Sequence, residues 1–291
     1  MAKKREKVTP KREPKHVILF FVEGESDKIA LEDPISRFIK LCYPEERVDV
    51  GFCIRNGDLE GGDITADLRI STERIRQRLV RDFYMPYQEK YKCMPKDLKG
   101  IIQIVDMDGA FLKDSDIIKF SDSTVGREKT YYDEESGKIV CVNPVAIAER
   151  NRHKREILAS LVNMESLTVG SKRIPYSIFF FSSNLDHFLH MNANVEYGKK
   201  GLAEAFVRNY ENDLPGFCKF FCEDEDASPC AFYLDSWEYI MERDRSIKRG
   251  TNLNILINQI EDRKLAQPMA KQNKWDGGES SGEQKNSSGA H

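Results

Sequence analysis

Three short stretches, 16–24 (HVILFFVEG), 100–109 (GIIQIVDMDG) and 176–184 (YSIFFFSSN), are apolar almost without interruption and end in polar or glycine residues. A half-exposed strand alternates polar and apolar positions, whereas continuous apolar character at strand length belongs to a central parallel strand covered on both faces. Between the first two stretches the pattern predicts a mostly helical segment over 26–42, a strand over 48–54 and a strong helix around 70–91. Pro34 falls inside the first helical segment and predicts a kink or a restart, because proline lacks a backbone donor. Residues 131–142 (YYDEESGKIVCV) carry two β-prone arms about a polar turn with a glycine, a hairpin inserted into the series. Over 143–163, Ile147, Ile157, Leu158 and Leu161 fall on one face of an amphipathic helix of about five turns.

Strands and helices thus alternate through three buried runs, which predicts an α/β domain over 16–199 with a mainly parallel sheet flanked by helices. A mostly helical C-terminal extension is expected over 200–264. Residues 1–15 hold seven Lys or Arg and two prolines with almost no large apolar side chain. Such a segment buries too little surface to offset its ordering entropy, and a disordered basic arm is expected. Residues 265–291 turn to Gly, Ser, Gln, Asn and Lys, the composition of a disordered tail.

Composition narrows the classes of function. Hydrophobic residues make up 40% of the 291 residues and charged residues 32%, an ordinary globular mixture. With 45 Lys plus Arg against 48 Asp plus Glu, the net charge of -3 advertises no general affinity for nucleic acid or anionic lipid. No apolar run approaches the ~20 residues of a membrane span, and no signal-peptide pattern follows the basic N-terminus, so a cytoplasmic protein with no membrane partner is expected. Seven cysteines scattered from Cys42 to Cys230 suit reduced thiols better than a disulfide framework. Cys218, Cys222 and Cys230 lack the paired spacing of a structural zinc site.

Ligands of open parallel sheets bind at the carboxyl ends of the strands. All three runs put acids there: Glu23, Glu25 and Asp27 after the first, Asp106 and Asp108 after the second, and Asn184, Asp186 and His187 after the third. Carboxylates brought that close repel one another, and a divalent cation with a preference for oxygen, Mg2+ or Mn2+, relieves the conflict. Alternation along a strand would point Asp106 and Asp108 to the same side. Glu23 would bind metal or move protons. Glu25 and Asp27 could support the metal or simply favour the start of the following helix, and Asn184 could be a helix cap. His187 and His190 are three apart and share a face that could meet a phosphate or a metal.

A strand ending in Glu-Gly-Glu-x-x-Asp, followed later by an apolar strand ending in Asp-x-Asp-Gly, resembles the Toprim domain, a metal-dependent family. The likeness covers 16 to about 195. It implies that Glu23 matches the family's catalytic glutamate and that Asp106 and Asp108 match its metal-binding aspartates. Residues 182–186 (SSNLD) are similar to the Ser-Asn-x-x-Glu or Asn-Leu-Glu element of the OLD-like defence nucleases, with Asp186 in place of the glutamate as a further metal ligand. The resemblance therefore implies a metal-dependent nuclease of DNA or RNA, in a setting of phage defence or of a mobile element. The chain carries no Walker A pattern, so any ATPase would be a separate partner. Basic residues that could lie along a phosphate backbone are Arg152, Lys154 and Arg155, with further clusters in 69–81, at Lys172 and Arg173, and in the N-terminal arm. The alternative reading is a Toprim-like module without catalysis that binds a partner ATPase or nucleic acid.

Overall fold

The computed structural model describes residues 16–55, 62–120, 130–224 and 227–265. The expected basic arm, and the expected tail apart from Leu265, lie outside the described residues. Leu265 itself is buried, its N–H donating to the Tyr43 hydroxyl at 3.1 Å.

The three apolar runs form neighbouring strands of one sheet. β1 (His16–Val22) pairs in parallel with β2 (Val48–Ile54) on one side and with β3 (Leu98–Asp106) on the other. The helix α1 (Glu25–Cys42) connects β1 to β2, and it runs through Pro34 without a restart. The segment predicted as one helix over 70–91 begins later and is compound: α2 (Ile75–Leu79), a π-helical turn (Val80–Tyr84) and α3 (Met85–Tyr91). Its middle turn closes with the Met85 N–H donating to the Val80 carbonyl, one residue wider than an α-helical bond.

After β3 the chain makes β4 (Ile117–Lys119) and the anticipated hairpin, β5 (Tyr131–Asp133) antiparallel to β6 (Lys138–Cys141). β4 joins the hairpin as a small second sheet of order β4-β6-β5. The helix α4 (Pro144–Val162) follows, its first turn capped by the Asn143 side chain, which accepts from the Ala146 N–H at 3.2 Å. Two strands then turn back on each other: β7 (Ser166–Val169) and β8 (Lys172–Phe181). β8 lies parallel to β3, and β7 is an antiparallel edge, so the main sheet has the order β2-β1-β3-β8-β7. It is an α/β fold with a mostly parallel sheet flanked by helices.

Five further α-helices follow among the described residues: α5 (Leu185–His190), α6 (Lys199–Asn209), α7 (Leu214–Cys222), α8 (Tyr233–Ile240) and α9 (Leu253–Glu261). The last four share the hydrophobic core of the sheet. Phe180 of β8 meets fully buried Trp237 of α8 edge to face at 5.0 Å, and Phe20 of β1 stacks on Phe52 of β2 at 4.6 Å. Burying each such side chain contributes about 1.5–3 kcal/mol. Asn252 and Thr251 also bond both backbone groups of Phe180, at 2.8 and 2.6 Å. The C-terminal helices are thereby tied to the end of β8, next to the carboxyl edge of the sheet. No helix among the described residues is long and apolar enough to cross a membrane.

Candidate metal centre

The carboxyl ends of β1 and β3 lie side by side because the strands are adjacent. Glu23 follows β1 directly, and its Oε1 accepts from the Asp106 N–H at 2.9 Å, so one oxygen of this carboxylate is anchored to the end of β3. Asp106 is the last residue of β3, and its Oδ1 accepts from Leu185 N–H at 3.1 Å.

Asp108 does not reach the site by strand alternation. The strand has ended, and Asp108 sits in a left-handed conformation (φ 51°), which Asp tolerates better than most residues. Gly109 follows at φ 73°, and a Cβ there would fall 2.5 Å from Ile139 of the hairpin and 2.8 Å from Ile247, so the turn needs glycine twice over. The turn is held by Asp108 N–H donating to the Ser183 carbonyl at 2.8 Å.

A third acid arrives from the loop after β2. Gly62 N–H donates to the Glu23 carbonyl at 3.1 Å, which brings Asp63 against the end of β1. Asp63 Oδ1 accepts from both the backbone and the hydroxyl of Thr65, at 2.7 and 2.5 Å. One carboxylate oxygen each of Glu23, Asp63 and Asp108 lie within 4.8 Å of one another, the one such grouping of potential metal ligands among the described residues. Asp106 stands beside this trio and lines the same groove.

The cluster is backed by α4. Arg150, Asn151 and Lys154 share one face of that helix, and Lys154 is completely buried. Its Nζ bridges Asp63 Oδ2 at 2.6 Å and Asp108 Oδ2 at 3.3 Å. Arg150 donates to the Asp108 carbonyl at 2.8 Å, and Asn151 donates to the Gly109 carbonyl at 2.9 Å. From the hairpin, the Tyr132 hydroxyl donates to Asp108 Oδ1 at 3.0 Å.

These surroundings separate the acids by proton affinity. Burial, reinforced by Asp63 and Asp106, pushes Glu23 well above the usual carboxylate range despite the opposing pull of Lys154. Burial and the charges of Asp27 and Asp108 raise Asp106 in the same way. For Asp108 burial acts upward, but Lys154, Arg150 and the Tyr132 hydroxyl outweigh it and hold the carboxyl below its ordinary value. Lys154, opposed by burial, is held charged by Asp63, Asp108 and Glu23.

Several expected site residues stand elsewhere. Asp186 is buried in an ion pair with Lys199 at 2.6 Å and is not brought to the trio, because the register of α5 turns it toward α6. Asp27 accepts from the Gly24 N–H at 2.7 Å at the start of α1, and burial raises its pKa to about 6 against the pull of that bond. Glu25 is exposed. Asn184 caps α5, accepting from His187 N–H at 2.9 Å, and donates to the Ala193 carbonyl. His187 is buried with its Nε2 3.0 Å from Glu134, and burial lowers its pKa.

The expected nucleic-acid contacts are corrected at Lys154, whose full burial keeps it from an approaching backbone and places it inside the cluster. Arg155 is half-buried and donates to the Ala110 carbonyl at 2.7 Å, and exposed Arg152 pairs with Asp114 at 3.3 Å. Three arginines of the 69–81 cluster, Arg69, Arg78 and Arg81, engage Asp67 or Asp82. Cys218 and Cys222 are partly buried thiols pushed up to about 12 and about 11 by burial.

The residues missed by sequence reasoning are Asp63 and Tyr132, while Arg150, part of the basic run 150–155 that the sequence offers to a phosphate backbone, is turned to the Asp108 carbonyl. Asp63 had a signal: it follows Gly-Gly shortly after a parallel strand, where ligand-bearing loops are expected.

No family model, no curated protein and no solved structure matches this chain.

Proposed function

We propose that this protein is a divalent-metal-dependent phosphodiesterase acting on DNA or RNA, of the Toprim type that the sequence resembles, with Mg2+ or Mn2+ as its ion. The observation that carries the reading is the convergence of Glu23, Asp63 and Asp108 at the carboxyl edge of a parallel sheet, with Asp106 beside them. The donor set fits a hard cation, since every candidate ligand is a carboxylate oxygen and no thiol or imidazole enters the grouping. Asp63 and Asp108 would hold the ion, with Glu23 and Asp106 at its margin. When bound, the ion supplies Lewis-acid stabilisation of charge on a reacting phosphate.

The chain's own groups have separable tasks. Glu23, with Oε1 fixed by the Asp106 N–H, suits a group that orients a water and takes its proton. Lys154 holds Asp63 and Asp108 together from behind the cluster and offsets part of their charge. Tyr132 and Arg150 fix the rotamer and the backbone of Asp108. A role in phage defence or in a mobile element belongs to the same proposal and rests on the resemblance alone.

A second reading, a Toprim-like module that binds a partner ATPase or nucleic acid without cleaving it, is favoured by one feature. Lys154 already bridges two of the three carboxylates, so part of their repulsion is relieved without an ion. Incubation with plasmid, single-stranded DNA and total RNA, with and without Mn2+ or Mg2+, separates the two. Metal-dependent cutting, lost by at least about 100-fold in Glu23→Gln and Asp108→Asn with unchanged circular dichroism, is the expected result. Absence of both cutting and calorimetric metal binding would overturn the first reading and favour the second.

A further inference from the structure

The carboxylate cluster lines a groove of about 950 Å3 together with a wall built by the hairpin and by residues 192–202. The two parts of that wall are clasped. The Asn194 side chain accepts from Tyr132 N–H at 2.8 Å and donates to the Tyr132 carbonyl at 2.9 Å, as a neighbouring strand would. Asn184 holds the same segment through the Ala193 carbonyl at 2.9 Å. Tyr197, three residues beyond Asn194 and 82% exposed, lines the same groove, as does Tyr131.

Among the described residues, the charge of the groove is the opposite of what a backbone-tracking site requires. Their ionisable lining is Glu23, Asp63, Asp106, Asp108 and Glu196 against Lys199, and Lys199 is committed to Asp186. A polyphosphate backbone held along such a wall would meet repulsion everywhere except at the ion. An exposed aromatic ring offers a contact that carries no charge, the face of a base, worth a several-fold to hundred-fold change in affinity. In a duplex both faces of each base are covered by its neighbours, so the ring has nothing to stack on. An unpaired nucleotide presents its face.

We infer that the groove takes an unpaired strand, gripped by stacking of a base on Tyr197 while the adjoining phosphate lies at the carboxylate cluster. This rests on the proposed phosphodiesterase reading and names its substrate class: single-stranded nucleic acid or a single-stranded end, in preference to duplex. Stacking itself needs no ion, which makes the two readings separable.

The test is fluorescence anisotropy of the full-length protein with one labelled oligonucleotide, as DNA and as RNA, each single-stranded and annealed. It is run in Ca2+ and in EDTA, with Mn2+ calorimetry on the same preparation. The single strand is expected to bind at least about ten-fold tighter than the duplex, Tyr197→Ala to lose about ten-fold, and Tyr197→Phe to retain binding. The DNA and RNA arms name the sugar. Equal binding of strand and duplex, or an unchanged affinity in Tyr197→Ala, overturns the inference. A Tyr197-dependent preference for the single strand that persists in EDTA upholds it even where calorimetry detects no metal, an outcome that removes only the phosphodiesterase reading.

Discussion

Two buried charge networks flank the loop after β2, and they are built on opposite balances. In one, Asp67 and Asp82 are surrounded by guanidinium groups: Arg55 reaches Asp67 at 2.6 Å and Asp82 at 3.4 Å, Arg69 reaches Asp67 at 2.8 Å, and Arg78 and Arg81 reach Asp82 at 3.0 and 2.8 Å. Hydrogen bonding from Arg69, with Arg55, holds Asp67 well below its ordinary value although burial opposes it. In the other, Glu23, Asp63, Asp106 and Asp108 face one buried ammonium, Lys154, with Arg150 directed at a backbone carbonyl. A network in which every carboxylate is paired with guanidinium groups is complete as folded and serves stability. Excess carboxylate held in place by the surrounding fold is a standing cost, and a divalent cation would relieve it.

The largest break in this contrast should come from Arg55→Met. It leaves Asp82 and part of Asp67 buried without their central partner, and a loss of about 3–5 kcal/mol in urea unfolding is expected, unaltered by Mg2+. Lys154→Met should cost a similar about 3–5 kcal/mol without metal, because Asp63 and Asp108 are then left to repel. Here millimolar Mg2+ or Mn2+ should recover a large part of the loss, and a cation-independent loss would show that the second network behaves like the first.

Acidity sharpens the comparison at intermediate size. Asp27 has its carboxyl raised from 3.8 to about 6 by burial, so the native state binds its proton more tightly than the unfolded chain does. Its contribution to stability is fully present below about pH 4 and is lost as pH rises through about 6. Metal-free stability should therefore fall across that window by on the order of 1–3 kcal/mol. Asp27→Asn, which keeps an acceptor for the Gly24 N–H, should flatten the curve, and denaturant midpoints from pH 4 to 8 measure it. Asp67, lowered rather than raised, gives no such fall over this range. The smallest effect expected is that of Asn194→Ala, about 1–2 kcal/mol from two hydrogen bonds, read as faster hydrogen exchange at Tyr132 N–H with global stability little changed.

The division between legible and illegible features follows these networks. Glu23, Asp106 and Asp108 could be singled out because each lies at or just beyond the end of an unbroken apolar run, and the topology of a parallel sheet gathers such ends. Asp63 sits in a polar loop with no periodicity around it, and Lys154 reads as one of several bases on a solvated helix face. The basic residues of 69–81 read in sequence as a surface for phosphate, whereas Arg69, Arg78 and Arg81 lie over Asp67 and Asp82. β7 escaped notice because four residues ending in a glycine turn leave little pattern to detect.

By itself the amino-acid sequence determined the alternation of the central strands with helices, the burial of those strands on both faces, and the presence of carboxylates at their ends, since hydrophobic periodicity is a local property read within a few residues. Tertiary structure alone decided that Asp63 rather than Asp186 joins Glu23 and Asp108, that Lys154 lies inside their cluster, and that Asn194 clasps the hairpin. Those choices depend on side chains that meet from segments 46 to 62 residues apart, as in the Lys154–Asp108 and Asn194–Tyr132 contacts, and on the direction each loop takes after its strand ends. Neither is encoded in any one window of the chain.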